Sequence, residues 1–194
     1  MPEYVILAGV NGAGKSTLYR SLLSGDKNYA LINADEILQS MHGDWHSDLD
    51  NLKAMRVAVA KLKQELLSGH NVIQETTLAS SRKGILKFIN FAKKQGYAVR
   101  LEYVGLVSAK LAVSRVQSRV SKGGHGVRPD LVTRRYTRSL QRLAELYDEF
   151  DVVELWDNSL GDTELIYSAD HGKVLINKSK DYSWVPDNIE EKHS

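Results

Sequence analysis

Short apolar runs alternate along this chain with longer segments whose apolar residues recur every three or four positions. Tyr4–Leu7 is the first such run, and Lys15–Leu23 follows it with helical spacing, so the N-terminal third opens as strand, loop, helix. Ala30–Ile32 gives a second strand, closed by Asn33 and Asp35. From Leu49 the positions Leu52, Met55, Val59, Leu62 and Leu66 predict an amphipathic helix that stops at Gly69, where a left-handed cap is expected. Val72 and Ile73 then form a buried strand ending in Gln74 and Glu75.

Ser81 can cap a helix carrying Ile85, Phe88, Ile89 and Ala92, which ends at Gly96. Tyr97–Val107 reads as a longer strand, and Ala109–Val120 as a helix after Ser108. The glycine-rich stretch 121–127, "SKGGHGV", is a loop, and Pro129 suits the first turn of a helix running to about Phe150. Asp151–Leu155 is another strand, and "DHG" between Glu164–Ala169 and Lys173–Asn177 predicts a hairpin. From Lys178 the tail is polar, with Trp184 the residue through which it can dock. Strands alternating with helices predict an α/β fold, a mostly parallel sheet covered on both faces.

Residues 9–16, "GVNGAGKS", match the complete phosphate-loop pattern between a strand and a helix, which is the context that pattern requires. Gly9, Gly12 and Gly14 allow the loop, with Asn11 and Ala13, to turn its amides onto an anion at a helix N-terminus. Lys15 is expected to bridge the outer phosphates, Ser16 to offer its hydroxyl to Mg2+, and Thr17 to reach an inner phosphate. The loop therefore predicts ATP or GTP as ligand.

What receives the phosphate must be read from polar residues at other strand ends, where ligands of parallel sheets collect. Asp35 in "INAD" can accept the proton of an attacking hydroxyl, or cap the following helix. Glu75 in "VIQETT" can hold a substrate hydroxyl or a magnesium-bound water, or simply cap, and Thr76 and Thr77 can bond a ligand or the next turn. Between Arg115 and Arg142, Arg115 and Arg119 share one helix face, Arg134 and Arg138 share another, and Arg128 lies on the glycine-bearing connection. Two arginine-lined helices joined by such a loop fit a lid over phosphates, spanning about 109–145, although each arginine alone equally fits a solvated face. The strand at 98–107 reaches Ser108 without a terminal aspartate, which argues against a motor-type ATPase.

The combination of "GVNGAGKST", "INADEI", "ETTLAS", "SRVQSRVSKGGHGVRPDLVTRRYTRSLQRL" and "WDNS" resembles the zeta-toxin family of P-loop kinases over roughly 4–160. The resemblance implies a kinase-like fold in which Lys15 and Ser16 serve the donor phosphates and Asp35 is the base. It places Arg115, Arg119 and Arg128 in the lid, and Glu75 and Thr76 toward the substrate. It also implies a UDP-activated amino sugar as acceptor, and a protein antitoxin as partner. Asn158 in "DNS" falls where related kinases pass the adenine, or it makes a turn.

Length and composition narrow the alternatives. With 194 residues, 42% of them hydrophobic, one P-loop domain over 1–194 is expected, its hairpin and tail occupying about 164–194. Lys and Arg number 26 against 24 Asp and Glu, so net charge argues against a nucleic-acid groove. The absence of cysteine excludes disulfides and thiolate metal sites. No signal-like N-terminus or membrane-length apolar run is present, which predicts a cytoplasmic protein without a membrane partner. His42 and His46 lack a third convincing metal ligand, and Trp45, Trp156 and Trp184 read as packing residues. The expected function is an ATP-dependent kinase acting on a hydroxyl of a small metabolite. Its rivals are a nucleotide-gated regulatory ATPase and a nucleic-acid end kinase.

Overall fold

The computed structural model describes residues 1–22 and 28–191. Strand β1 (Glu3–Ala8) leads through the phosphate loop into helix α1 (Lys15–Leu22), and β2 (Tyr29–Asn33) follows. Next come α2 (Ala34–Ser40), α3 (Asp48–Ser68), β3 (Asn71–Thr76) and α4 (Arg82–Lys94). The chain continues as β4 (Ala98–Gly105), α5 (Ala109–Ser121), α6 (Pro129–Leu146) and β5 (Val152–Asp157), and ends in β6 (Glu164–Asp170), β7 (Lys173–Asn177) and α7 (Asp187–Glu191). The expected end of the first helix at Leu23 lies outside the described residues.

The sheet has the order β2-β3-β1-β4-β5-β6-β7, with the first five strands parallel and the last two antiparallel. In register, Asn33 lies opposite Glu75, and Ala8 lies opposite both Thr76 and Tyr103. The predicted site residues on β2 and β3 are thereby gathered at the edge where β1 gives way to the phosphate loop. The hairpin turns on His171 and Gly172, both with positive φ, the backbone that a two-residue connection between twisted strands requires.

Alternation along β1 explains its continuous apolar run. Tyr4, Ile6 and Ala8 enter one buried cluster with Leu62, Leu66, Ile89 and Leu143, while Val5 and Leu7 enter the other with Leu18, Ala112 and Val116. Both faces of the central strand are covered, as a parallel sheet demands.

Helix α3 departs from the pattern read in sequence. Its buried row is Ala54, Ala58, Leu62 and Leu66, whereas Leu49, Leu52, Met55 and Val59 are exposed. Spacing of three and four fixes a stripe but not how the helix is rolled. The two alanines let its backbone lie close to its neighbours, and the larger row is turned outward. The helix predicted to run to about Phe150 ends at Leu146 and tightens into a single 3-10 turn, Tyr147–Glu149. The tail docks: Trp184 is buried, stacks on Tyr103 at 5.8 Å between ring centroids, and donates its indole N–H to Asp157 at 2.8 Å. No described helix is long and apolar enough to cross a membrane.

On the α1 and α5 face of the sheet, Arg100 pairs with Glu102 and with Glu154 (2.9 Å), and the Trp156 indole donates to Glu102 at 2.7 Å. Burial pushes the Glu102 carboxyl from 4.5 up to about 7, against the pull of Arg100. Between those values the folded protein holds a proton that the unfolded chain releases, so this group's contribution is greatest at low pH and is lost as pH rises through about 7. Urea unfolding at about pH 5 and about pH 8 should show wild type losing more stability across the interval than Glu102→Gln, which has no carboxyl to titrate.

Candidate phosphoryl-transfer site

The phosphate loop is shaped by three glycines that could carry no side chain. Gly9, Gly12 and Gly14 have φ of 135°, 84° and 95°. A Cβ on Gly9 would lie 2.3 Å from the Val104 carbonyl oxygen, and one on Gly14 would lie 2.3 Å from Asn158 Nδ2. The loop is therefore wedged between the end of β4 and the turn after β5, with its amides left to face a ligand.

Lys15 is buried beneath it, donating to the carbonyls of Gly9 (2.9 Å) and Val10 (3.2 Å), with Glu75 Oε1 at 3.6 Å. Burial pulls the ammonium below its usual range, while Glu75 and then Asp35 act to keep it charged. Glu75 ties three elements together. Its Oε2 accepts from the Ser16 hydroxyl at 3.0 Å and from Asn33 Nδ2 at 3.1 Å. A carboxylate beside the phosphate-loop hydroxyl fits a hard cation that takes oxygen ligands and shares a phosphate.

Asp35 does not cap α2. The cap is Asn33, whose Oδ1 accepts from the amides of Asp35 (2.9 Å) and Glu36 (3.4 Å), leaving the Asp35 carboxylate half-exposed over the cavity. Its charge is felt by Lys15, His125 and Arg135 together. Thr76 turns back on its own chain, accepting from the amide of Leu78 at 3.2 Å, and Leu78 is held fully buried at φ 57°. That left-handed leucine marks stored strain beside the cavity wall.

Asn158 also serves the loop. Its Nδ2 donates to Ala13 O at 2.8 Å, and its buried Oδ1 has no hydrogen-bond partner. Ser159 completes the turn by donating its hydroxyl to Asp157, and Arg115 donates to the Ser159 carbonyl at 3.3 Å.

The arginines separate. Arg119 lies close enough to act on both Lys15 and His125. Arg128, by contrast, pairs with Asp130 at 3.5 Å and lines a different groove with Trp45 and Val116. Asp130 also holds Arg134 at 2.8 Å. Sequence reasoning missed Arg135, which is half-buried and donates to Asn11 Oδ1 at 2.9 Å, bringing α6 directly onto the loop. The Arg134–Arg135 doublet was visible, but only the roll of α6 selects which member reaches the phosphate loop.

A cavity of about 530 Å³ opens from this cluster. Lys15, Asp35, Glu75 and Arg135 line its polar end, and Met55, Val59 and Phe88 form its apolar wall. Two of the outward-turned residues of α3, Met55 and Val59, thus find their place. Among the described residues, no group of three or more His, Asp or Glu side chains gathers where it could hold a metal ion.

The order of the sheet, the complete phosphate loop at its edge and the helical pair α5–α6 define a P-loop nucleotide-binding fold of the kinase class. Within that class the chain belongs to the Zeta toxin family, whose profile matches residues 1–171. A protein of uncharacterised function from Haemophilus influenzae is 30% identical over 132 residues, covering 68% of this chain and 91% of that one. Among solved structures, AvrRxo1-ORF1:-ORF2 with ATP superposes with TM-score 0.71 at 16% identity, over 95% of this chain and 63% of that one. The PezAT toxin–antitoxin system of Streptococcus pneumoniae gives 0.67 at 18% identity, over 87% and 71%. These two likenesses are of fold, and the chain spans less than two thirds of the first one's length.

Asn158 touches the loop rather than filling a cavity, so its removal tests how far loop shape governs binding. Asn158→Ala leaves the Ala13 carbonyl buried without a donor and should destabilise the protein by about 1–3 kcal/mol. ATP affinity, read by calorimetry on the folded variant, should fall in parallel.

Proposed function

We propose that this protein is an ATP-dependent kinase that moves the γ-phosphoryl group onto an alcohol of a small metabolite. The observation that carries this reading is the cavity itself: one continuous space with the buried phosphate-loop lysine and the half-exposed Asp35 carboxylate at the same end. A hydrolase of ATP needs only water there, whereas 530 Å³ with an apolar wall suits a bound organic acceptor.

In this reading the loop amides and Lys15 hold the donor phosphates, and Lys15 exchanges its two carbonyl partners for phosphate oxygens when ATP arrives. Asp35 takes the proton from the acceptor hydroxyl as the new O–P bond forms and the bond to ADP breaks. Arg135 and Arg119 balance charge developing on the transferring group. Ser16 and Glu75 are the residues that would hold Mg2+, directly or through water, and the ion would supply neutralisation of donor-phosphate charge.

For the acceptor, the family makes a UDP-activated amino sugar the first candidate. The wall of Met55, Val59 and Phe88 supports it, because such side chains pack the C–H faces of sugar rings while hydroxyls point to the polar end. The PezAT likeness likewise makes a protein antitoxin the first candidate partner.

The test is a mass-spectrometric screen of protein, Mg2+, ATP and a pool of nucleotide sugars and metabolites. A product heavier by one phosphate is expected with wild type. Lys15→Ala should weaken ATP binding about 10- to 100-fold. Asp35→Asn should bind ATP normally and transfer about 10²- to 10⁴-fold more slowly. Undiminished turnover in the aspartate variant would refute the base assignment, and ATP consumption with no phosphorylated acceptor would favour the regulatory ATPase.

A further inference from the structure

The most distinctive stretch of the chain, the "GGH" loop between α5 and α6, has no part in the scheme above. In the structure its histidine comes down on the proposed base. His125 Nε2 lies 3.9 Å from Asp35 Oδ1, with only 21% of the side chain exposed. Two neighbours fix the loop in that place. A Cβ on Gly124 would lie 2.6 Å from Arg119 Cγ, so α5 packs tightly beneath it. A Cβ on Gly126 would lie 2.7 Å from the ring of Trp45. That indole meets the His125 ring edge-on at 6.0 Å and has the His46 ring tilted against it at 3.4 Å. The connection between α2 and α3 therefore locks onto the connection between α5 and α6, and the glycines are what allow the two to touch.

We infer that His125 is a positioning residue for Asp35, presented by the glycine loop and held there by Trp45. This rests on the reading of Asp35 as base. A neutral imidazole has one N–H, and carried on Nε2 it points toward a carboxylate that must stay ionised and aimed at the acceptor hydroxyl. Four charged or titratable groups face or flank the ring: Asp35 from α2, Arg119 from α5, Arg135 from α6, and His46 behind Trp45. Burial lowers the His125 pKa first, Asp35 raises it, and Arg119 and Arg135 lower it again, which favours the neutral ring near pH 7. Beside two arginines, a third cation here would be unwelcome when donor phosphates are absent.

Two measurements test the inference. The first follows the His125 ring signals by NMR through a pH titration in wild type and in Asp35→Asn. Removing the carboxylate takes away the charge that raises the His125 midpoint, so the midpoint should move to lower pH. An identical midpoint in both proteins would overturn the pairing. The second follows basal ATP turnover with water as acceptor, alongside ATP affinity. His125→Ala should turn over about tenfold more slowly with ATP affinity unchanged. His125→Gln, which keeps an N–H at similar reach, should recover most of the loss, and Trp45→Ala should reproduce part of it while speeding amide exchange across 122–128. A merely structural histidine would give no recovery with glutamine, and wild-type turnover in His125→Ala would overturn the role outright. Should basal hydrolysis fall below detection in every protein, the titration alone decides. Wild-type turnover in Asp35→Asn would instead strike the base assignment, leaving the titration to report on the contact itself.

Discussion

The site is organised around one buried cation. Lys15 sits under the phosphate loop with two backbone carbonyls and the Glu75 carboxylate as close partners. A charge withdrawn from water to this extent must be compensated by fixed dipoles or charges, supplied here by two carbonyls of the loop itself and by a carboxylate from a different element. Glu75 is delivered by β3, which must therefore lie directly beside β1. Asn33 on β2 must reach Glu75, which places β2 beyond β3. The strand order on this side of the sheet, and the meeting of Ser16 with Glu75, follow from holding that ammonium in place.

The second constraint is steric. The loop can wrap an anion only if its backbone approaches Val104 on one side and Asn158 on the other more closely than any side chain permits. Its glycines are thus matched to partners that lie roughly a hundred residues or more downstream. The same device recurs at Gly105 beneath Trp184, and at Gly126 against Trp45. Close approach at glycine is how this small protein seats its tail, shapes its donor site and joins its two long connections. The polar end of the cavity gathers charge, while the apolar wall joins Phe88 of α4 to side chains that helix α3 turns away from the core.

Much of this was legible in the chain. Strand–loop–helix order, the phosphate loop and the caps at Ser81, Ser108 and Gly69 are local properties, set by periodicity, by hydroxyl geometry and by positive φ. Residues that act at strand ends, such as Asp35 and Glu75, could be picked out because a parallel sheet collects them on one edge. The roll of a helix is not local. Met55 and Val59 read as members of an ordinary apolar stripe, and Arg135 as one of several arginines. Only packing of Ala54 and Ala58 in the core, and of α6 on the loop, turned those side chains toward the cavity.

By itself, then, the sequence determined the fold class, the nucleotide loop and the family, because short-range periodicity and a contiguous motif encode all three. The tertiary structure alone decided that Asn33 and not Asp35 caps α2, that Asn158 braces the loop through Ala13, that Arg128 turns to Asp130, and that His125 meets Asp35. Two of those outcomes, the Asn158–Ala13 and His125–Asp35 contacts, join groups far apart in the chain, and the other two settle which of several near neighbours competes successfully for one partner. Distance and burial settle such competition, and neither is written in the spacing of residues.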